Sequence, residues 1–304
     1  MNILITGGAG YKGNLLTRSL LAKGHQVTIY DNFMYGYASI LDLVNQKNCQ
    51  LIKKDIRDIS KNEIKNQEVI YHLAAISGLP ACRQNPALAM SINYDATKKL
   101  VRLLSKNQMI VYASTTSLYG VSDKICTEDL KVKPVSLYGK TKLESEKIVL
   151  QHPNAIIFRL ATLFGVSPRM RTDLLINNFV YRAIADRSIV IFDPHNTRTF
   201  LHLNDAIDAY LLVLRNYQRM KGQIFNVGTN KLNFSKLEIA QRIQKYLNFQ
   251  IVESKIADID KRSFMVNYDK ISLLGFKART SIESGIKDLV KLYSFYDPQN
   301  EKYV

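Results

Sequence analysis

The sequence predicts an α/β fold, a doubly wound parallel sheet followed by a smaller α+β part, and three observations carry that expectation. Short aliphatic runs alternate with helix-length segments over the first half of the chain. A glycine-rich turn joins the first run to the first helix. Past Gly165 the rhythm changes, and the extended pieces become short and scattered. With 304 residues, 46% of them apolar, the chain can form one large or two modest domains, because single cores rarely grow beyond about 250–300 residues.

Taken in order, residues 2–6 form an aliphatic run ended by glycines, the pattern of a buried parallel strand. Residues 14–23 set Leu15, Leu16, Leu20 and Leu21 at helical spacing, and Gly24 ends that helix. A second strand over 26–30 finishes at Asp31. Runs at 50–53, 68–72, 109–114 and 155–160 continue the series with helix-length segments between them, so the strands should lie parallel with helices on both faces. Beyond Gly165 the pattern predicts a helix over 172–187, a strand over 189–192, a helix over 204–216 and one more sheet strand over 224–227. A helix over 235–246, extended pieces at 251–253 and 264–267, and a last helix over 282–294 complete the chain. The expected layout is a large domain of residues 1–165 plus about 199–228, and a smaller one of about 166–198 and 229–304, with a ligand cleft between them.

Composition narrows the function classes. The 42 Lys and Arg against 26 Asp and Glu leave a net charge of +16, which points to anionic partners. The basic residues are scattered without a run of five, so a solvated lysine-rich surface or a small anionic ligand is expected rather than a nucleic-acid footprint. No apolar stretch approaches the roughly 20 residues that cross a bilayer, and residues 1–6 run straight into glycines without a basic leader. A cytoplasmic protein without a membrane partner is expected. Cys49, Cys82 and Cys126 have no paired spacing and predict neither a disulfide framework nor a metal site.

The chemistry begins at Thr6-Gly7-Gly8-Ala9-Gly10-Tyr11-Lys12-Gly13. Glycines at 7, 10 and 13, between a strand and a helix, let the backbone turn tightly and approach a diphosphate resting on the helix N-terminus. With the next strand ending in Asp31, this is a Rossmann dinucleotide loop. The Asp31 carboxylate can accept hydrogen bonds from ribose hydroxyls and would repel a 2′-phosphate. No Arg follows it closely, so NAD is expected over NADP. Lys12 stands where such loops usually carry an apolar residue.

Tyr138 and Lys142 are four apart, hence on one helix face. A phenol ordinarily titrates near 10, and a nearby ammonium favours the phenolate that could serve as base. Ala113-Ser114-Thr115-Thr116-Ser117 closes the fifth strand, at the carboxyl edge where α/β ligands sit, and can supply a substrate-facing hydroxyl.

Together these residues resemble the extended short-chain dehydrogenase/reductase family, in particular its nucleotide-sugar epimerases, dehydratases and dehydrogenases. The resemblance implies an NAD cofactor held by Gly7, Gly10, Tyr11, Lys12 and Gly13, with Asp31-Asn32 at the ribose and Asp55-Ile56 at the adenine. It adds Leu73, Ala74, Ala75, Asn93 and Ala113 on the cofactor side. It selects Thr115 as the catalytic hydroxyl, four before Tyr119, with Ser114 the fallback, Tyr138 as the base and Lys142 as the residue holding the nicotinamide ribose. On the substrate side it implies Ser114, Thr115, Thr162 (where the family often has Asn), Arg171, Asp173, Leu174, Arg198 and Arg262, the Arg residues suiting a diphosphate. Residues 167–171 and 260–262 are most similar to bacterial GDP-heptose 4-dehydrogenases of capsule synthesis. A GDP-sugar and a homodimer are therefore expected, the latter pairing through segments 95–105 and 141–150.

Within this family the shared step is oxidation at C4 of the sugar. Dehydratases carry Asp-Glu after the catalytic Thr, whereas this chain has Thr116-Ser117, so a 4-dehydrogenase or 4-epimerase is expected over a 4,6-dehydratase. A reading of another class is a non-catalytic NAD sensor or RNA-binding protein on the same fold, prompted by the +16 charge.

Overall fold

In a computed structural model of the chain, residues 1–258 and 260–298 are described; residues 299–304 of the predicted smaller domain lie outside them. Seven parallel strands form the main sheet: β1 (Asn2–Thr6), β2 (Gln26–Asp31), β3 (Cys49–Lys53), β4 (Val69–His72), β5 (Met109–Thr115), β6 (Ala155–Leu160) and, returning late in the chain, Gln223–Val227. Their spatial order is β3-β2-β1-β4-β5-β6 followed by Gln223–Val227. That is the doubly wound order, with its topological switch between β1 and β4, where ligands bind outside the carboxyl ends of the strands.

The strands read as nearly continuous apolar runs because both faces of the sheet are covered. Along one face Ile3, Ile5, Tyr71, Val111 and Phe158 join one buried cluster. On the other, Leu4, Ile70, Ile110 and Ile157 join a second. Alternation thus sorts each strand's residues between two cores.

Past β6 the chain builds smaller sheets. β7 (Thr162–Phe164) pairs in parallel with Thr197–His202, which also takes Asn233–Ser235 antiparallel; Ser188–Ile191 pairs with Gln250–Glu253. A separate cluster including Phe164, Ile176, Phe200, Ile239 and Ile286 packs this region.

Several boundaries differ from the sequence expectation. The first helix begins at Tyr11, not residue 14, since glycine inside a loop does not prevent the helical turn from starting there. The helix expected from 141 begins at Leu137, because the Ser136 hydroxyl caps it by accepting the Gly139 N–H at 3.0 Å. The helix expected from 172 starts only at Leu175, leaving 171–174 as cavity wall. Residues 264–267 form no strand ladder; Val266 makes an isolated bridge to Cys126. No described helix is long and apolar enough to cross a membrane.

Candidate active site

The carboxyl ends of β1, β2, β4 and β5 open onto one cavity of about 650 Å³. Gly7, Gly10, Tyr11, Lys12 and Gly13 line one wall. Gly7 has φ +71°, and a Cβ there would stand 2.8 Å from the Ala74 nitrogen; a Cβ on Gly13 would fall on the Gly7 carbonyl. The helix Tyr11–Ala22 then starts with no side-chain cap and no acidic residue in its first turn, so its free N–H groups are left to a ligand. An uncapped helix start beside a cradle that a Cβ would fill fits a diphosphate. Gly13→Val is accordingly expected to abolish NAD-dependent thermal stabilisation, overpacking costing about 1–3 kcal/mol; a variant still stabilised as the wild type is would contradict this.

At the adenosine end Asp31, Asn32, Asp55 and Ile56 line the cavity. The Asp31 carboxylate accepts the Ala9 N–H (3.1 Å) and the Phe33 N–H (2.9 Å). Burial pushes its carboxyl up, and those N–H groups offset part of the rise. Leu73, Ala74 and Ala75 also line the cavity. Asn93 does not. It is buried and grips Ile76 from behind, accepting its N–H (2.8 Å) and donating to its carbonyl (3.0 Å), while a further contact reaches the Thr141 hydroxyl. It ties the loop after β4 to the helix Leu137–Val149.

At the opposite end lie Ser114, Thr115, Ser117 and Tyr138. The Ser114 hydroxyl donates to the buried Glu146 carboxylate, which leaves it committed away from the cavity. Thr115 Oγ1 accepts the Ser117 N–H (3.1 Å) and donates to Ser117 Oγ (3.0 Å), and Arg262 Nη1 meets that same Ser117 hydroxyl. The pair Thr115 and Ser117 is thus the hydroxyl group of the site available beside a cation.

Tyr138 is half-buried in the first turn of its helix. Burial pushes its phenol up, while Arg171, Arg262 and the Ser77 hydroxyl pull it back. The four-residue spacing led to Lys142 as the cation favouring the phenolate. Arg171 and Arg262 lower the phenol, while Lys142 Nζ donates to the Ala113 carbonyl (2.8 Å) and lies 4.5 Å from the Tyr112 ring centroid. Burial, reinforced by repulsion from Lys12, brings the Lys142 amine down to about 7. Neither Lys142 nor Ala113 is on the cavity wall proper.

Of the substrate-side residues, Thr162, Arg171, Asp173, Leu174 and Arg262 line the cavity. Arg171 and Asp173 form an ion pair at 2.6 Å, and Arg262 pairs with Asp260. Arg198 does not line it: the side chain is 3% exposed and paired with Asp260 at 3.4 Å, which stands between Arg198 and Arg262. Burial brings its guanidinium down to about 10 despite that carboxylate. Sequence reasoning passed over Tyr35 and Ser77, which share the lining, as does Arg169 of the segment 167–171. Arg169 lies 4.7 Å from the Tyr35 ring centroid. Beside it Tyr11 donates to the Gly165 carbonyl (2.6 Å) and Ser167 donates to the Tyr11 carbonyl (2.7 Å), so residues 165–171 strap across the start of the first helix. No periodicity signals such contacts, since they join residues about 130–156 apart in sequence.

Comparison with known proteins agrees with this geometry. The model of the NAD dependent epimerase/dehydratase family matches residues 3–228. A Bacillus subtilis protein named as an uncharacterized UDP-glucose epimerase is 28% identical, over 97% of this chain and 99% of the relative. A UDP-N-acetyl-alpha-D-glucosaminuronate decarboxylase of Bacillus cytotoxicus is 27% identical, over 96% and 92%. Among solved structures, the Bacillus cereus UDP-glucuronic acid 4-epimerase in complex with UDP-glucuronic acid and NAD superposes with a TM-score of 0.84 at 25% identity, over 97% of this chain and 99% of that one.

Proposed function

Because the chain belongs to the NAD dependent epimerase/dehydratase family, we propose that it oxidises C4 of a nucleotide-diphosphate sugar, as a 4-epimerase or 4-dehydrogenase. The observation that carries this reading is that Thr115, Ser117, Tyr138, Arg171 and Arg262 line the same cavity as the glycine loop and Asp31, the Thr115 strand standing three strands from that of Asp31. Tyr138 would take the C4 hydroxyl proton as its phenolate, and Thr115 would hold the sugar oxygen while the bond to hydrogen breaks. Bound NAD supplies the hydride acceptor. Lys142, on the Ala113 carbonyl, would orient the ribose end of the cofactor.

Dehydration needs an acid and a base at the following carbons. Thr116 and Ser117 stand where these would be, and the Thr116 hydroxyl is spent on the Leu160 carbonyl at 3.1 Å. Two guanidinium groups near Tyr138 also suit a sugar bearing a carboxylate, and C4 oxidation of a uronate gives a β-keto acid that can lose CO2 without a further base.

The test is a panel of UDP-, GDP-, CDP- and dTDP-sugars, uronates included, screened by thermal shift and then by product mass. An unchanged mass with inverted C4 supports epimerisation, loss of two hydrogens the dehydrogenase, and loss of CO2 the decarboxylating outcome. Loss of water would overturn the argument against dehydration. Thr115→Val is expected to lower kcat about a hundred-fold with NAD binding unchanged, by loss of the hydroxyl alone.

A further inference from the structure

Lys236 does not line the cavity, yet it holds a segment that reaches it. It is the first residue of the helix Lys236–Gln244, whose start is already satisfied by a capping box of Ser235 and Glu238. A cation in that first turn opposes the helix dipole, and Lys236 is buried to 5% exposure. Neither fact serves the helix. Lys236 Nζ instead donates to the Phe192 carbonyl (2.7 Å) and pairs with the Asp258 carboxylate at 2.5 Å. A buried ammonium that has given up water for one carboxylate depends on it, and the carboxylate depends on the ammonium.

From Asp258 the contacts run towards the site. Its N–H donates to Asp193 Oδ2 (3.0 Å), and Asp193 has a φ of +43°, a left-handed conformation that aspartate tolerates better than most residues. Asp258 Oδ1 accepts the Asp260 N–H (2.9 Å), and Asp260 Oδ1 accepts both the Arg262 N–H (3.3 Å) and Arg262 Nε–H (2.6 Å). Arg262 Nη1 then meets the Ser117 hydroxyl, to which Thr115 Oγ1 donates at 3.0 Å. Asp260 also pairs with Arg198, and attraction from Asp258 reaches that buried guanidinium as well. The cluster sets Lys236, Arg198 and Arg262 against Asp193, Asp258 and Asp260, so its charges balance. Just beyond it Ser263 is fixed separately, its N–H donating to the Gly120 carbonyl (3.1 Å) and its carbonyl accepting the Ser122 N–H (2.9 Å).

We infer that Lys236 is a positioning residue: through Asp258 and Asp260 it sets where the Arg262 guanidinium stands beside Ser117 and Thr115. It does so as a tether and as a counter-charge. Without Lys236 the Asp258 carboxylate becomes a negative charge in excess and competes with Asp260 for Arg198 and Arg262, drawing guanidinium groups away from Ser117. Lys236 itself touches neither the cavity nor the reacting hydroxyls. The consequence for turnover rests on the proposed sugar end of the site; the placement of Arg262 does not.

The experiment compares the full chain with Lys236→Met, Lys236→Arg and Arg262→Met. Amide hydrogen exchange, read with no sugar nucleotide present, is expected to quicken about ten-fold or more at Asp260 and Arg262 in Lys236→Met. Ser122 and Ser263 should keep their wild-type rates, and Lys236→Arg should stay close to wild type. Asp258→Asn, a milder break of the same pair, is expected to quicken the same two amides, which keeps the test decisive if Lys236→Met does not fold. For turnover the probe is the member of the UDP-, GDP-, CDP- and dTDP-sugar panel that the chain converts. Lys236→Met is expected to lower kcat/KM for it about ten-fold, with NAD-dependent thermal stabilisation unchanged, and to add no further loss in the Arg262→Met background. Unaltered exchange at Asp260 and Arg262, or the same fold loss in both backgrounds, would overturn the inference. A panel with no converted sugar would sink C4 oxidation instead, and the exchange rates would still decide the role of Lys236.

Discussion

Replacing Tyr138 with Phe is expected to lower kcat by about a thousand-fold or more while NAD still binds, because a positioned acid–base group contributes about 10²–10⁴ in rate. The change removes one oxygen from a half-buried side chain and leaves the helix and its Ser136 cap in place. Single-turnover kinetics and NAD-dependent thermal shift separate the two effects. Burial raises the phenol above its ordinary value, so the wild-type rate should climb with pH through the neutral range, and the Phe variant should lose that climb. A Phe variant with full turnover would exclude Tyr138 as the base.

The second large effect is on stability. Arg159 and Glu146 are buried to 4% and 2% exposure, and the guanidinium meets the carboxylate at 2.8–3.3 Å through Nε and Nη2. Arg159 Nη1 also donates to the Tyr119 hydroxyl (3.2 Å) and the Glu128 carbonyl (3.1 Å). The pair ties β6 to the helix bearing Tyr138 and, through Ser114, to the end of β5. Arg159→Leu would leave a carboxylate buried without its cation, an expected loss of about 3–5 kcal/mol in denaturant unfolding. Replacing Glu146 with Leu as well removes the stranded charge and should recover most of that loss. If the single variant stays within about 1 kcal/mol of wild type, Glu146 has another means of neutralisation.

The parallel sheet was legible because its inner strands are buried on both faces, so β1, β4, β5 and β6 appear as mostly apolar runs between turn signals. The glycine cradle and Asp31 were legible because the backbone conformation leaves little choice of residue: Gly7 at φ +71° and Gly13 pressed on the Gly7 carbonyl tolerate no side chain. The short strands Thr162–Phe164 and Asn233–Ser235 were not, since three residues cannot establish a period. At the site, the sequence placed Tyr138 and Thr115 at the end of the sheet where the cavity opens, but not the direction in which a long side chain points. Lys142 turns to Ala113, and Arg198 turns into Asp260, away from the cavity. The strap of residues 165–171 and the Tyr35–Arg169 contact depend on long-range packing that no local pattern encodes. Of the basic residues behind the charge of +16, Lys12, Arg169, Arg171 and Arg262 are among those that line the cavity.

The most direct measurement follows the hydrogen at C4. A sugar nucleotide from the panel that stabilises the chain is prepared with deuterium at C4 and mixed with excess NAD-loaded protein, and the reaction is quenched within one turnover. The account predicts deuterium on the nicotinamide ring of the recovered cofactor, a slowed approach to product relative to the unlabelled sugar, and neither signal with Tyr138→Phe. Product formed with the deuterium still at C4 throughout, or lost to water without passing through the cofactor, would contradict it.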